Sequence, residues 1–129
     1  MGRKKMVISA LTFDDNETIE SKISRFFAPE SLICLSKEQL KQYQDVIAHQ
    51  NIQTILHDKS LMETVYTFFA NNLNTSITSA KTFMHRNTLN YRLEKIKKFT
   101  GLNLKLFEHA VVFKNLIIIN SIIENGSAN

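Results

Sequence analysis

Almost nothing in this sequence is suited to tight turns, for three glycines and a single proline stand among 129 residues. Strand-and-turn folds reverse the chain often and rely on such residues, whereas long helices need them only at short connections. The chain is therefore expected to be mainly α. Its 43% hydrophobic and 22% charged residues are a globular balance, with enough Leu, Ile, Val and Phe to bury a core. The length suits one compact domain, or a small domain with an extension, and leaves little room for an elaborate multi-domain enzyme.

Along the chain, Lys5 to Phe13 reads as a short β-prone segment, and Asp14-Asp15-Asn16 offers caps for a helix carrying Ile19, Ile23, Phe26 and Phe27 that Pro29 would end. Ser31 to Leu35 reads as a second short strand, giving a small strand-helix-strand N-terminal segment; for so short a run an all-helical reading stays open. Ser36-Lys37-Glu38-Gln39 has capping-box form and opens a helix expected to reach Gln50, with Leu40, Tyr43, Val46 and Ile47 on one face. Ser60-Leu61-Met62-Glu63 repeats the device before a helix that aligns Leu61, Val65, Phe68 and Phe69 and gives way at Asn71-Asn72-Leu73-Asn74. Residues 1–59 are thus expected to form a helical or α+β segment, and residues 60–129 a second domain.

That second domain carries the informative pattern. Thr75 and Ser76 are expected to cap a short helix to Phe83; after a turn at Met84-His85, a longer helix runs to Thr100 and stops at Gly101. Leu89, Leu93 and Ile96 recur at helical spacing and fix its inward face, leaving Asn87, Asn90, Tyr91 and Glu94 opposite and Arg86 projecting from the first turn. Helix, tight turn, helix is a DNA-reading device whose second helix meets base edges with its N-terminal residues. The residue types suit base reading, since Arg86 matches guanine O6 and N7, and Asn87 and Asn90 match adenine. His85 and Thr88, beside the helix start, are placed for phosphate oxygens. Charge agrees, because six cations between Lys81 and Lys98 face the single acid Glu94 while the whole chain carries only +4. Within that cluster Lys97 and Lys98, with Lys95, are expected to attract the DNA backbone. Tyr91 is open between stacking on the backbone and packing on a neighbouring helix, and Arg92 between a structural contact and a phosphate.

The run from Thr78-Ser79 through Phe83-Met84-His85-Arg86-Asn87-Thr88-Leu89-Asn90-Tyr91-Arg92-Leu93-Glu94-Lys95-Ile96 to Thr100-Gly101-Leu102 resembles the C-terminal helix-turn-helix of the PucR/CdaR family of bacterial regulators. The resemblance extends from Leu61 to about Ile123 and implies a sequence-specific transcription regulator. The family is similar in turn to Fis-like DNA-binding units, which implies that Arg86, Thr88 and Asn90 sit at the DNA. Ser79 and Thr82 depart from the Ala and Leu usual in the family. Family members carry long N-terminal sensing regions, so the chain is expected to be either a short stand-alone regulator or a piece lacking its sensor. Two rival functions are a protein-interaction module on the same scaffold and an architectural DNA-bending protein of the Fis type.

Other chemistry finds little purchase. The lone Cys34 permits no intramolecular disulfide, which points to a reducing cytoplasm. His49, His57 and His109 lack metal-ligand spacing, so no metal site is expected, and no cofactor is implied. Without a Gly-rich phosphate loop or a nucleophile elbow, the chain is not expected to be an enzyme. Polar interruptions keep the late apolar run short of a membrane span. That last helix, from Phe107 to Ile123, is apolar around much of its circumference at Val111, Val112, Phe113, Leu116, Ile117, Ile118, Ile119, Ile122 and Ile123. One small core covers one stripe, so the second is expected to be a homodimer seam, matching the two-fold operators that such dimers read. The expected partners are thus double-stranded DNA and a second copy of the chain, with no membrane.

Overall fold

A computed structural model of the chain describes residues 16–27 and 35–127. The strand expected over Lys5–Phe13, the Ser31–Leu35 run except Leu35, and Pro29 and Cys34 lie outside these residues. Among the described residues there are seven α-helices, one turn of 3-10 helix and no strand, so the mainly α expectation holds. The chain divides into two compact units, Met1–Leu40 and Lys41–Asn129.

The first unit holds α1 (Ile19–Ser24), continued by the 3-10 turn Arg25–Phe27. Its cap is Thr18, whose side chain accepts from the Ser21 amide at 3.1 Å, rather than the expected Asp14–Asn16. The Arg25 guanidinium, with help from the Ser21 hydroxyl, holds the Glu17 carboxyl below its ordinary value. Helix α2 (Lys37–Ile47) begins with the capping box read from sequence: Gln39 N donates to Ser36 Oγ at 3.2 Å, and Ser36 N donates to Gln39 Oε1 at 3.1 Å.

Helix α2 stops short of Gln50 because His49 starts a new one. Its backbone is extended and its Nδ1 accepts from the Asn51 amide at 3.1 Å, so α3 (Gln50–Leu56) begins there, a helix that periodicity alone does not reveal. Helix α4 (Lys59–Ala70) is capped by Asp58, whose Oδ1 accepts from Leu61 N at 3.0 Å; this displaces the expected Ser60 cap by two residues and leaves Ser60 inside the helix. Its end is a Schellman motif, in which Leu73 N donates to Phe68 O at 2.9 Å and Asn72 N to Phe69 O at 3.1 Å, with Asn72 in the left-handed region at φ 58°.

Helices α5 (Thr75–Thr82), α6 (Arg86–Thr100) and α7 (Phe107–Ser127) complete the unit. Asn74, rather than Thr75 or Ser76, caps α5 by accepting from Ile77 N at 2.8 Å. The core gathers Ile52 and Ile55 from α3, Leu61, Val65 and Phe68 from α4, and Leu89, Leu93 and Ile96 from α6, all buried. Helix α3 packs with both α4 and α6. Helix α7 adds Phe113, Leu116, Ile118 and Ile119, also buried. It is tied at Asn115, whose amide donates to Tyr43 Oη at 3.1 Å, and at Glu124, 3.2 Å from His57 Nε2. Sequence pattern places Ile118 and Ile119 on surplus apolar surface; the chain covers both by itself, and Phe107, Val111, Val112, Ile122 and Ile123 are the apolar side chains of α7 left exposed. No helix among the described residues is long and apolar enough to cross a membrane.

Candidate nucleic-acid interface

Two side chains hold α6 from below. Arg92 donates to Thr64 Oγ1 at 2.9 Å, and that buried threonine in turn donates to Ser60 O at 3.0 Å, so Arg92 braces α6 against α4, a structural contact. At the far end Asn51 donates its amide to Phe99 O at 3.2 Å, while Gly101, at φ 81°, closes the helix by donating to Lys97 O at 2.7 Å. Leu89, Leu93 and Ile96 are buried as their spacing required. With three anchors on one side, the opposite face is fixed in direction.

The N-terminal end of α6 is built around His85. Its backbone is extended and its Nδ1 accepts from the Asn87 amide at 3.0 Å, so His85 is the N-cap. The ring thereby occupies an amide that a phosphate would otherwise take. A neutral imidazole that accepts at Nδ1 carries its proton on Nε2, which leaves His85 one donor for an anion outside the helix. Arg86, Asn87 and Thr88 follow in the first turn and are all exposed. The Arg86 guanidinium reaches back to α5 and donates to Ser76 Oγ at 2.7 Å, which uses one of its five N–H groups and aims the rest. Ser76, expected from sequence only to cap α5, is a positioning residue for Arg86.

Asn90 is placed differently from the sequence expectation. At about 100° per residue it lies some 40° around from Arg86, on a half-buried flank rather than opposite the core. Its Oδ1 is buried without a hydrogen-bond partner, as is Ser79 Oγ on α5. A bidentate match to adenine needs both the oxygen and the nitrogen of the amide, and in this rotamer the oxygen is turned inward. Asn87, on the open face, is not so restricted. Tyr91 shares that face and is 69% exposed, so most of its surface is open. Lys97 and Lys98 are exposed in the last turn, where a cation also suits the negative end of the helix dipole. Lys97 lies on Arg86's side of the helix, about 17 Å along the axis at 1.5 Å per residue.

The turn holds a residue that the helical pattern does not single out. Phe83 ends α5 in the left-handed conformation, at φ 55° and ψ 26°, and its side chain is 96% exposed. Met84 N closes the turn by donating to Ser79 O at 3.2 Å, the six-to-one bond of a Schellman motif with Phe83 in the place usually taken by glycine. Left-handed backbone costs a residue with a side chain about 1–2 kcal/mol. The remaining histidines are engaged structurally: His49 caps α3, His57 Nδ1 lies 2.9 Å from Gln53 O, and His109 accepts from Asn103 N at 2.9 Å.

Residues 61–114 match the family model of the PucR C-terminal helix-turn-helix domain. The resemblance carried by the His85–Leu93 run is thereby borne out, and the segment is a PucR-type helix-turn-helix. The chain is 32% identical over 77 residues to the purine catabolism regulatory protein of Bacillus subtilis (strain 168), a match covering 60% of this chain and 14% of that one. It is 39% identical over 57 residues to the carbohydrate diacid regulator of Escherichia coli (strain K12), covering 44% and 15% respectively. A third similar protein is the uncharacterized YxkF of Bacillus subtilis (strain 168), 26% identical over 95 residues, covering 73% of this chain and 31% of that protein. The chain thus spans less than a third of the length of each of these relatives. No solved structure matches it with significance.

Proposed function

We propose that this chain, through its PucR-type helix-turn-helix, is a sequence-specific DNA-binding transcription regulator that acts as a cytoplasmic homodimer and performs no catalysis. The observation that carries the reading is the first turn of α6. There a capping histidine, an arginine aimed by Ser76 and an unencumbered asparagine stand together on an exposed helix end, within a segment of net positive charge. That is the end of a recognition helix that meets base edges. Two of the similar proteins are named as regulators, which supports the same reading. In this assignment Arg86 and Asn87 read bases, His85 and Thr88 hold phosphates, and Asn90 contributes an amide donor. Tyr91 lies on the sugar-phosphate edge, and Lys97 and Lys98 attract the backbone from the far end of the helix.

Arg86→Ala tests the base-reading assignment. It should weaken binding to a preferred duplex by about 1–3 kcal/mol and relax one base position, with thermal stability little changed because Arg86 is exposed. An unchanged affinity and footprint in the folded variant would remove α6 from the groove. Replacing Lys97 and Lys98 together by Gln should instead weaken all duplexes about equally and flatten the dependence of affinity on salt, since fewer counterions are released. Loss of sequence preference at an unaltered salt slope would contradict the backbone role of these lysines.

A further inference from the structure

We infer that Phe83 is itself a DNA-contacting side chain, its ring packing against the apolar surface of the duplex beside the bases met by α6; this rests on the DNA-binding reading above. Phe83 is more exposed than any other large hydrophobic residue described, at 96% against 73% for Phe107 and 71% for Phe27. The backbone at this position makes that exposure more telling. Three helix ends in the Lys41–Asn129 unit close through the left-handed region, and two of them enter it with residues suited to it, Asn72 and Gly101. Leu73, which follows Asn72 in the same region, is partly covered by the chain. The third end is Phe83, a bulky residue where glycine would cost the fold less, held so that its ring gains almost no cover. Strain and apolar exposure combined at one position point to a role outside the fold.

The position also indicates the partner. Only Met84 separates Phe83 from the capping residue His85, so their Cα atoms lie within about 7.6 Å of each other. A surface that engages His85 Nε2, Arg86 and Asn87 therefore comes within reach of the Phe83 ring. The neighbourhood is cationic: Lys81 and Arg86 flank the turn, and no acid occurs from Lys81 to Leu93. Such surroundings suit a polyanion with apolar patches better than an apolar protein groove. On B-DNA those patches are the thymine methyl groups in the major groove and the deoxyribose rings along its edge, and phenylalanine is a suitable partner for the former.

The test uses Phe83→Asn, which keeps a residue tolerant of the left-handed turn, alongside Phe83→Tyr and Arg86→Ala. The probe is a duplex selected by the wild-type chain from a random pool, prepared with thymidine or with deoxyuridine. Phe83→Asn should melt no lower than wild type and bind roughly ten- to a hundredfold more weakly, the order expected when a phenyl ring is no longer removed from water. Phe83→Tyr should retain most of the affinity. A wild-type loss on the deoxyuridine duplex that Phe83→Asn does not share identifies a thymine methyl; an equal loss by the variant on both duplexes identifies deoxyribose, and both support the inference. If Phe83→Asn binds as wild type while Arg86→Ala fails, the inference is overturned and the DNA reading stands. A change in sedimentation without a change in DNA affinity would overturn it too, by assigning the ring to self-association. A wild-type chain that selects no duplex would overturn the underlying reading itself.

Discussion

Replacing Phe113 by alanine is expected to lower the stability of the Lys41–Asn129 unit by about 3–5 kcal/mol, a large share of the roughly 5–15 kcal/mol that holds a small domain folded. Phe113 has no exposed surface, and with Leu116, Ile118 and Ile119 it is what α7 adds to the buried apolar side chains of the unit. The deletion therefore removes the transfer free energy of a phenyl ring and leaves a cavity that its helical neighbours fill only in part. Thermal unfolding followed by circular dichroism should show one cooperative transition moved down by more than about ten degrees. The result has a structural meaning beyond the number. If α7 were an arm laid on a self-sufficient helix-turn-helix, the α3–α6 core would melt at its wild-type temperature in the variant, and the integration of α7 into the unit would be refuted.

How far this fold is legible in the sequence depends on which interactions are local. The burial of Leu89, Leu93 and Ile96 and the glycine stop at Gly101 follow from spacing and from a residue's own backbone preferences, and both stand in the structure. Cap positions are harder, since serine, threonine, asparagine and aspartate are near-equivalent as caps. Where two such residues lie close together, their order does not say which one turns. Asp58 is therefore hidden behind Ser60, and Asn74 behind Thr75 and Ser76. Helix α3 escapes detection because its cap is a histidine, a residue outside the usual capping set, and because seven residues give too short a periodic pattern. Burial along α7 is a property of the neighbours rather than of α7, which explains why Ile118 and Ile119 cannot be told from Ile122 and Ile123 by pattern.

The candidate interface divides along the same line. Arg86, Asn87, Thr88 and Tyr91 fall on exposed surface as helical geometry requires. Periodicity presents Asn90 as a fully available amide because it gives an angle and not what lies on that flank, where the amide oxygen is buried. The tie from Arg86 to Ser76 spans ten residues and leaves no trace in spacing. Phe83 carries one readable sign, an aromatic residue where the end of α5 calls for glycine, but a phenylalanine in a short motif reads first as core.

The largest effect on function is expected from Ile122→Asp, which should convert a dimer to monomers and weaken binding to a two-fold operator on the order of a hundredfold or more, since each half-site then binds without the gain in effective concentration that linkage supplies. Val111 and Val112 lie about three helical turns from Ile122 and Ile123, and at about 100° per residue Ile118 and Ile119 share their side of α7, so the uncovered apolar surface is two patches on either side of a covered pair. All four are exposed, Ile122 at 51%, while Ile118 and Ile119 between them are covered by the chain itself. Leu106 and Phe107 at the start of the helix add to the uncovered surface. On a helix of 21 residues, about 31 Å long at 1.5 Å per residue, the patch at the Ile122 end is open for a self-complementary contact with a second copy. Because the Ile122 side chain is already half in water, an aspartate there should leave the monomer folded, whereas Ile119→Asp would bury a charge and unfold the unit. That contrast separates loss of association from loss of fold. Sedimentation at tens of micromolar, on the order of ordinary dimer affinities, should give a dimer for wild type and a folded monomer for Ile122→Asp. A well-folded wild-type monomer under those conditions would end the dimer assignment, and an Ile122→Asp chain that stays dimeric would move the seam away from this end of α7.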